Sequence, residues 1–175
     1  MEAEIKQPPH VLLIVDDDED VHQITRIALR SLKYEGRGVK LLSAHSAGDA
    51  IRIMQGENQV SVILLDVVME SNEAGLEACR FIRDRIRNQF VRILLRTGQP
   101  GMAPEKKVVE EYGIDGYLSK GELTSTRLTT MVRTALKAYS EITEIESKRR
   151  SLESVNESIR DISGSVQWNT FRREA

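Results

Sequence analysis

The sequence predicts an α/β fold: a doubly wound, five-stranded parallel sheet sandwiched between helices and continued at its C-terminus by one long helix. Three observations predict it. Short β-branched runs alternate with segments whose apolar residues recur at spacings of three and four. The runs at 11–15 and 62–65 are apolar throughout instead of alternating, as strands covered on both faces are. The connections between runs are short, which suits β–α repeats with right-handed crossovers.

The first strand reads Val11-Leu12-Leu13-Ile14-Val15, and the helix after it shows Val21, Ile24 and Ala28 as its apolar face. A second strand at 39–42 precedes a helix carrying Ala47, Ala50, Ile51 and Met54. The third, at 62–65, precedes Leu76, Cys79, Ile82 and Ile86. The fourth, at 91–95, is followed by a briefer helical pattern of Val108, Val109 and Tyr112. After the fifth, at 116–118, come Leu128, Met131, Val132, Ala135, Leu136 and Tyr139, the cleanest helical stripe in the chain.

That last helix is expected to outrun the domain. From Thr126 to about Val166 there is no proline, and the first glycine is Gly164, so about 40 residues would extend on the order of 60 Å. Beyond Tyr139 the stripe thins to Ile142, Ile145, Leu152, Val155, Ile159, Ile162 and Val166, spaced 3, 7, 3, 4, 3 and 4, with Arg149 in the gap of seven. Such a stripe is too narrow to cover a sheet. It suits a two-stranded coiled coil with a phase slip between Leu152 and Val155, the other reading being a solvated helix. The expected division is a domain at 10–140, a coiled-coil signalling helix at 141–167, and a tail at 168–175 with no pattern to assign.

The 175 residues are 40% hydrophobic, 30% charged and 5% aromatic, which provides for one domain and a tail. Lys and Arg total 25 against 27 Asp and Glu, a formal net charge of -2. The last 35 residues hold six basic and seven acidic groups, so neither part has the basic excess of a nucleic-acid surface. No apolar run is long enough to span a bilayer, and residues 1–10 lack the apolar region of a signal peptide, so a cytoplasmic location is expected. Cys79, on an apolar helix face, reads as a reduced packing thiol. His10, His22 and His45 show no metal-ligand spacing and read as surface or capping residues. Lys148-Arg149-Arg150 lies among Glu144, Glu146 and Glu153, which makes it a solvated stretch of helix.

Chemistry collects at the carboxyl ends of the strands, where such sheets carry function. Strand 1 ends in Asp16-Asp17-Asp18-Glu19-Asp20. Asp18 or Asp20 can cap the next helix, but capping does not account for consecutive aspartates at the strand exit. A hard, oxygen-seeking cation such as Mg2+ does. Strand 3 ends in Asp66, strand 4 in Thr97 before Gly98, and strand 5 in Ser119 and Lys120. Asp66 has the chemistry of a carboxylate nucleophile toward phosphorus, with Mg2+, Lys120 and Thr97 available to the phosphoryl oxygens. Neither G-x-x-x-x-G-K-[ST] nor G-x-G-x-x-G occurs, so the phosphoryl group is expected to arrive on another molecule.

On these residues the stretch from 10 to about 140 resembles a two-component response-regulator receiver domain. The strings Leu64-Leu65-Asp66-Val67-Val68-Met69-Glu70 and Arg96-Thr97-Gly98-Gln99-Pro100-Gly101 are similar to a subgroup of receivers. That subgroup precedes output modules of cyclic-di-GMP turnover, often HD-type phosphodiesterases. The resemblance implies a flavodoxin-like sheet of order 2-1-3-4-5. It implies Asp66 as phosphoacceptor, with Mg2+ held by Asp16, Asp17, Asp66 and the backbone carbonyl of Val68. Thr97 and Lys120 would bind phosphate, and Thr97 and Tyr117 would act as the switch. The sequence departs from the family pattern at Glu70, where proline is usual, at Gly75, which arrives one residue late, and at Gly121, which replaces the proline after Lys120. Val68 and Gln99 occupy positions that tune dephosphorylation in the family.

The expected role is therefore a phosphorylation-controlled switch and not a free-standing enzyme. A sensor histidine kinase would phosphorylate Asp66. The change would pass through the helix after strand 5 into a homodimeric coiled coil, and on to an effector module beyond these 175 residues or to a partner protein, with no nucleic acid or membrane involved. Two other readings stand beside it. One is a degenerate receiver that only scaffolds a protein interaction. The other is a phosphatase of the haloacid-dehalogenase type using Asp16 and Asp18, which would leave Asp66 without a role.

Overall fold

The structure, a computed structural model, describes residues 7–56, 59–98, 112–119 and 124–171. In chain order the elements are β1 (His10–Val15), α1 (Glu19–Leu29), β2 (Val39–Ala44), α2 (Ala47–Gly56), β3 (Val60–Asp66) and α3 (Ala74–Arg80). A π-helical turn (Phe81–Arg85) follows, then β4 (Arg92–Thr97), β5 (Gly116–Ser119) and the C-terminal helix α4 (Ser125–Phe171). The helical pattern of Val108 and Val109 lies outside the described residues.

All five strands are parallel, in the order β2-β1-β3-β4-β5. Side chains alternate across this sheet and build two apolar layers. Leu13, Val15, Ile63, Leu65, Ile93 and Leu95 meet Ala50, Met54, Leu76, Cys79 and Ile82 from α2, α3 and the π turn on one side. Leu12, Ile14, Val62, Leu64, Leu94 and Leu118 meet Leu29 of α1 and Leu128, Val132 and Leu136 of α4 on the other. Both faces of the central strands are therefore dry, which explains their unbroken apolar runs.

Helix α1 departs from expectation. Its buried residues are His22, Thr25 and Leu29, while Ile24 and Ile27 are 61% and 76% exposed. Of the expected apolar face, Ala28 packs against the core but Ile24 points outward, because the inner face is completed by polar groups with specific partners. His10 and His22, read as surface or capping residues, are both buried. Cys79 is a free, buried thiol whose Sγ donates to the Tyr112 carbonyl at 3.1 Å.

The chain divides into two compact units, Met1–Tyr139 and Ser140–Ala175. In the second, Ile145, Leu152, Val155 and Ile159 are exposed. Lys148, Arg149 and Arg150 are tied by intrahelical ion pairs, Lys148 to Glu144, Arg149 to Glu146 and Glu153, and Arg150 to Glu146. Those guanidinium partners hold the Glu146 carboxyl down to about 2. The helix runs through Gly164 to Phe171, beyond the expected end near Val166 and into the segment with no pattern to assign. A lone glycine costs a helix only about 1 kcal/mol and is no terminator by itself. No helix among the described residues is long and apolar enough to cross a membrane.

Candidate functional site

Strand alternation decides which side chains meet at the carboxyl edge. Ile14 of β1 is in register with Leu64 of β3, and Leu64 with Leu94 of β4. Two residues further along, the same face carries Asp16, Asp66 and Arg96 in one row. Asp16 and Asp66 are buried and Asp17 is exposed. One carboxylate oxygen from each of these three aspartates lies within 4.8 Å of the other two.

Local hydrogen bonds fix this arrangement. The Asp16 N–H donates to the Ala44 carbonyl of β2 at 3.2 Å, and Asp16 Oδ1 accepts from the Asp18 N–H at 3.1 Å. Asp18 is the cap of α1, accepting from the Asp20 N–H at 2.9 Å, so Asp16 and Asp18 have separate work. The Val67 N–H donates both to the Arg96 carbonyl at 3.1 Å and to Asp66 Oδ1 at 2.9 Å. Gly75 N–H then donates to the Val67 carbonyl at 3.1 Å. A Cβ at Gly75 would stand 1.9 Å from the Asp66 carbonyl oxygen, so only glycine lets α3 start this close to the end of β3. Glu70, where the family has proline, accepts from the Ala47 N–H at 2.9 Å and ties this loop to the start of α2.

A relay of polar side chains supports the acidic loop from behind. His22 Nε2 lies 2.8 Å from the Asp16 carbonyl oxygen, and its Nδ1 lies 2.9 Å from Ser43 Oγ. A carbonyl can only accept, so Nε2 carries a proton and donates to it. Ser43 Oγ in turn accepts from Arg26 Nη2 at 2.7 Å. The His45 ring lies 4.4 Å from the His22 ring, with Nε2 3.7 Å from Glu19.

Arg96 is the residue that the sequence reading passed over. Its side chain is buried, and Nη1 donates to Thr25 Oγ1 at 3.1 Å. Burial lowers its pKa, while the charges of Asp16 and Asp66 act in the opposite direction. The signal was available: an arginine interrupts the apolar run Ile93-Leu94-Leu95 at a position whose alternation points inward.

Of the expected site residues, Asp16, Asp17 and Asp66 are brought together. Thr97 closes β4, but its side chain is outside the described set, as are Lys120, Gln99 and Gly121. Tyr117, on β5, is half-buried and packs against the apolar layer shared by Leu65 and Leu95. Val68 is 40% exposed in the loop after Asp66. The donor set consists of carboxylate oxygens alone, which fits a hard divalent cation such as Mg2+ and not a thiophilic or imidazole-seeking metal.

The family model for the response regulator receiver domain matches residues 12–133. The chain is 42% identical over 165 residues to the 3'3'-cGAMP-specific phosphodiesterase 2 of Vibrio cholerae, a match covering 94% of this chain and 32% of that protein. It is 34% identical over 112 residues to the response regulator UvrY of Escherichia coli, covering 63% of this chain and 47% of UvrY. The chain thus spans about a third to a half of the length of these curated relatives. Among solved structures, the receiver domain of an HD domain-containing protein from Pseudomonas fluorescens superposes with a TM-score of 0.66 at 22% identity, over 82% of this chain and 97% of that one. Receiver domains of this kind take a phosphoryl group from a histidine kinase, hold Mg2+ in an acidic pocket and are linked to effector modules. With its parallel sheet of order 2-1-3-4-5, its acids gathered at one sheet edge and a family match over most of its length, the chain belongs to the response regulator receiver domain family.

Proposed function

We propose that this receiver accepts a phosphoryl group on Asp66, and that the signal leaves through α4. The observation that carries the reading is the gathering of Asp16, Asp17 and Asp66 at the end of the central strands, with the Asp66 backbone clamped by β4 and Gly75. An oxygen of the Asp66 carboxylate attacks phosphorus, the P–N bond to the donor histidine breaks, and its electron pair returns to the imidazole nitrogen. Asp16, Asp17, Asp66 and the Val68 carbonyl hold Mg2+, which supplies charge neutralisation for the phosphoryl oxygens. Lys120 and Thr97 bind the phosphoryl oxygens from the ends of β5 and β4, and Tyr117 and Thr97 transmit the change.

In this proposal residues 10–140 form the switch and 141–167 a signalling helix that pairs with a second copy. The exposed Ile145, Leu152, Val155 and Ile159 supply its seam. The match to the Vibrio phosphodiesterase covers 94% of the chain, leaving too few residues outside it to exclude the helical tail, which supports a shared mode of output. We assign the effector class accordingly as cyclic-dinucleotide hydrolysis, housed in a module that these 175 residues do not include.

The test is intact-mass and peptide-mapping mass spectrometry after incubation with acetyl phosphate and Mg2+. One phosphoryl group on the Asp66 peptide, absent with EDTA and absent in Asp66→Asn, is expected. Wild-type-like phosphorylation of Asp66→Asn would overturn the assignment, and no adduct in the wild-type protein would favour a scaffold. For the tail, Leu152→Asp should lower the dimer fraction in sedimentation velocity, and an unchanged distribution would remove the coiled coil from the proposal.

A further inference from the structure

Asp16, Asp66 and Arg96 form one row on one face of three neighbouring strands, in the layer immediately above Ile14, Leu64 and Leu94. Strands are about 4.8 Å apart, so the Arg96 backbone stands one strand away from Asp66 and two from Asp16, and its guanidinium reaches over this face to Thr25 of α1. Arg96 is 4% exposed, so little water screens it. Its Nη1 is committed to Thr25, which is itself buried, and its Nε has no hydrogen-bond partner among the described residues. A guanidinium in that position would be costly on an apolar strand without nearby negative charge. Asp16 and Asp66 are the buried carboxylates of its own row, and both act on its charge state.

We propose that Arg96 is a resident counter-cation of the acidic pocket, a positioning residue that sets how tightly this receiver holds its divalent metal. Before a metal arrives, the guanidinium offsets part of the charge of the buried carboxylates and lets them sit together on the dry end of the sheet. When Mg2+ is bound, the same fixed charge opposes it, so the site is weaker for metal than three carboxylates alone would make it. The arrangement exchanges metal affinity for a pocket that is already assembled when the phosphoryl donor arrives. This inference rests on the reading of Asp16, Asp17 and Asp66 as the metal site.

The experiment is isothermal titration with Mg2+, paired with thermal melts with and without the ion, on wild type, Arg96→Met, Arg96→Gln and Arg96→Lys. The neutral variants are expected to bind Mg2+ about tenfold more tightly, since a fixed positive charge near a dication is removed. They should also melt lower without metal and show a larger rise in Tm on adding Mg2+ than wild type does. Arg96→Lys, which keeps the charge, should stay within about threefold of wild-type affinity. A purely structural role predicts a lower Tm in all three variants, with an unchanged or smaller Mg2+ increment. That result, or unchanged affinity in a folded neutral variant, overturns the inference while leaving the metal site standing. A wild-type protein that binds no Mg2+ overturns both.

Discussion

Replacing Gly75 by alanine sets two effects of opposite sign against each other. Gly75 lies in the first turn of α3, and intrinsic propensity alone would reward alanine there by up to about 1 kcal/mol. The new methyl carbon, however, would stand 1.9 Å from the Asp66 carbonyl oxygen and 2.9 Å from Val67 Cα. An ordinary C···O contact is about 3.3 Å, so the helix start and the end of β3 must separate by roughly 1.4 Å. The obstructing atoms are backbone, so no side-chain rotamer relieves the contact. Overpacking of that kind costs about 3 kcal/mol or more, and the net loss should be about 2 to 3 kcal/mol, near 10 °C in Tm for a domain of this size. Gly116→Ala is the internal control: its Cβ would meet Leu94 Cδ2 at 2.8 Å and Met131 Cε at 3.0 Å, both ends of flexible side chains. That change should cost about 1 kcal/mol. Urea unfolding followed by circular dichroism measures both. Because the displaced atoms carry Asp66, Gly75→Ala should also weaken Mg2+ binding where Gly116→Ala does not. A Gly75→Ala protein as stable as wild type, or more costly damage from Gly116→Ala, would refute the steric reasoning.

Three further outcomes follow from buried groups. Arg83 donates to the carbonyls of Asn88, Val91 and Gly113 and to Asp115, so Arg83→Met should lower unfolding free energy by about 3 kcal/mol in urea titrations; a loss below about 1 kcal/mol would contradict that network. Burial, with Arg37 nearby, lowers the His10 pKa from its ordinary 6.5, so the unfolded chain takes up the proton first as pH falls. Stability from this source is complete above that pH and drains below it, and His10→Phe should flatten the stability profile on the acid side of about pH 6.5; parallel profiles would speak against it. Burial pushes the Cys79 thiol up to about 11, so iodoacetamide at about pH 8 should label it only after urea is added, and rapid labelling of the native protein would contradict its burial.

The sheet and its acidic edge were legible in the sequence because they rest on unambiguous signals. An unbroken apolar strand implies cover on both faces, and a carboxylate directly after it has to emerge at the edge. The inner face of α1 was not legible for a complementary reason. His22 and Thr25 are polar, so a search for apolar periodicity selects Ile24 instead, although Ile24 is exposed. What brings His22 and Thr25 inward is a set of partners far away in sequence: Ser43, the Asp16 carbonyl and Arg96. Such pairing has no period. Arg96 was hidden in the same way, since its meaning depends on which residues of β1 and β3 stand in register with it.

The π-helical turn after α3 has a consequence for how this chain can change over evolutionary time. Its defining bond, from the Ile86 N–H to the Phe81 carbonyl at 3.1 Å, encloses one residue more than an α-helical turn would. Both Ile82 and its neighbour Arg83 are buried there, the first among apolar side chains and the second against loop carbonyls. Losing a single residue from this turn would regularise the helix and swing the guanidinium off the loops at Asn88, Val91 and Gly113. Gaining the turn without the arginine would leave those carbonyls unserved. Helix length, arginine and the two loops are thus a single heritable unit, and descendants that shed one part should shed the others with it.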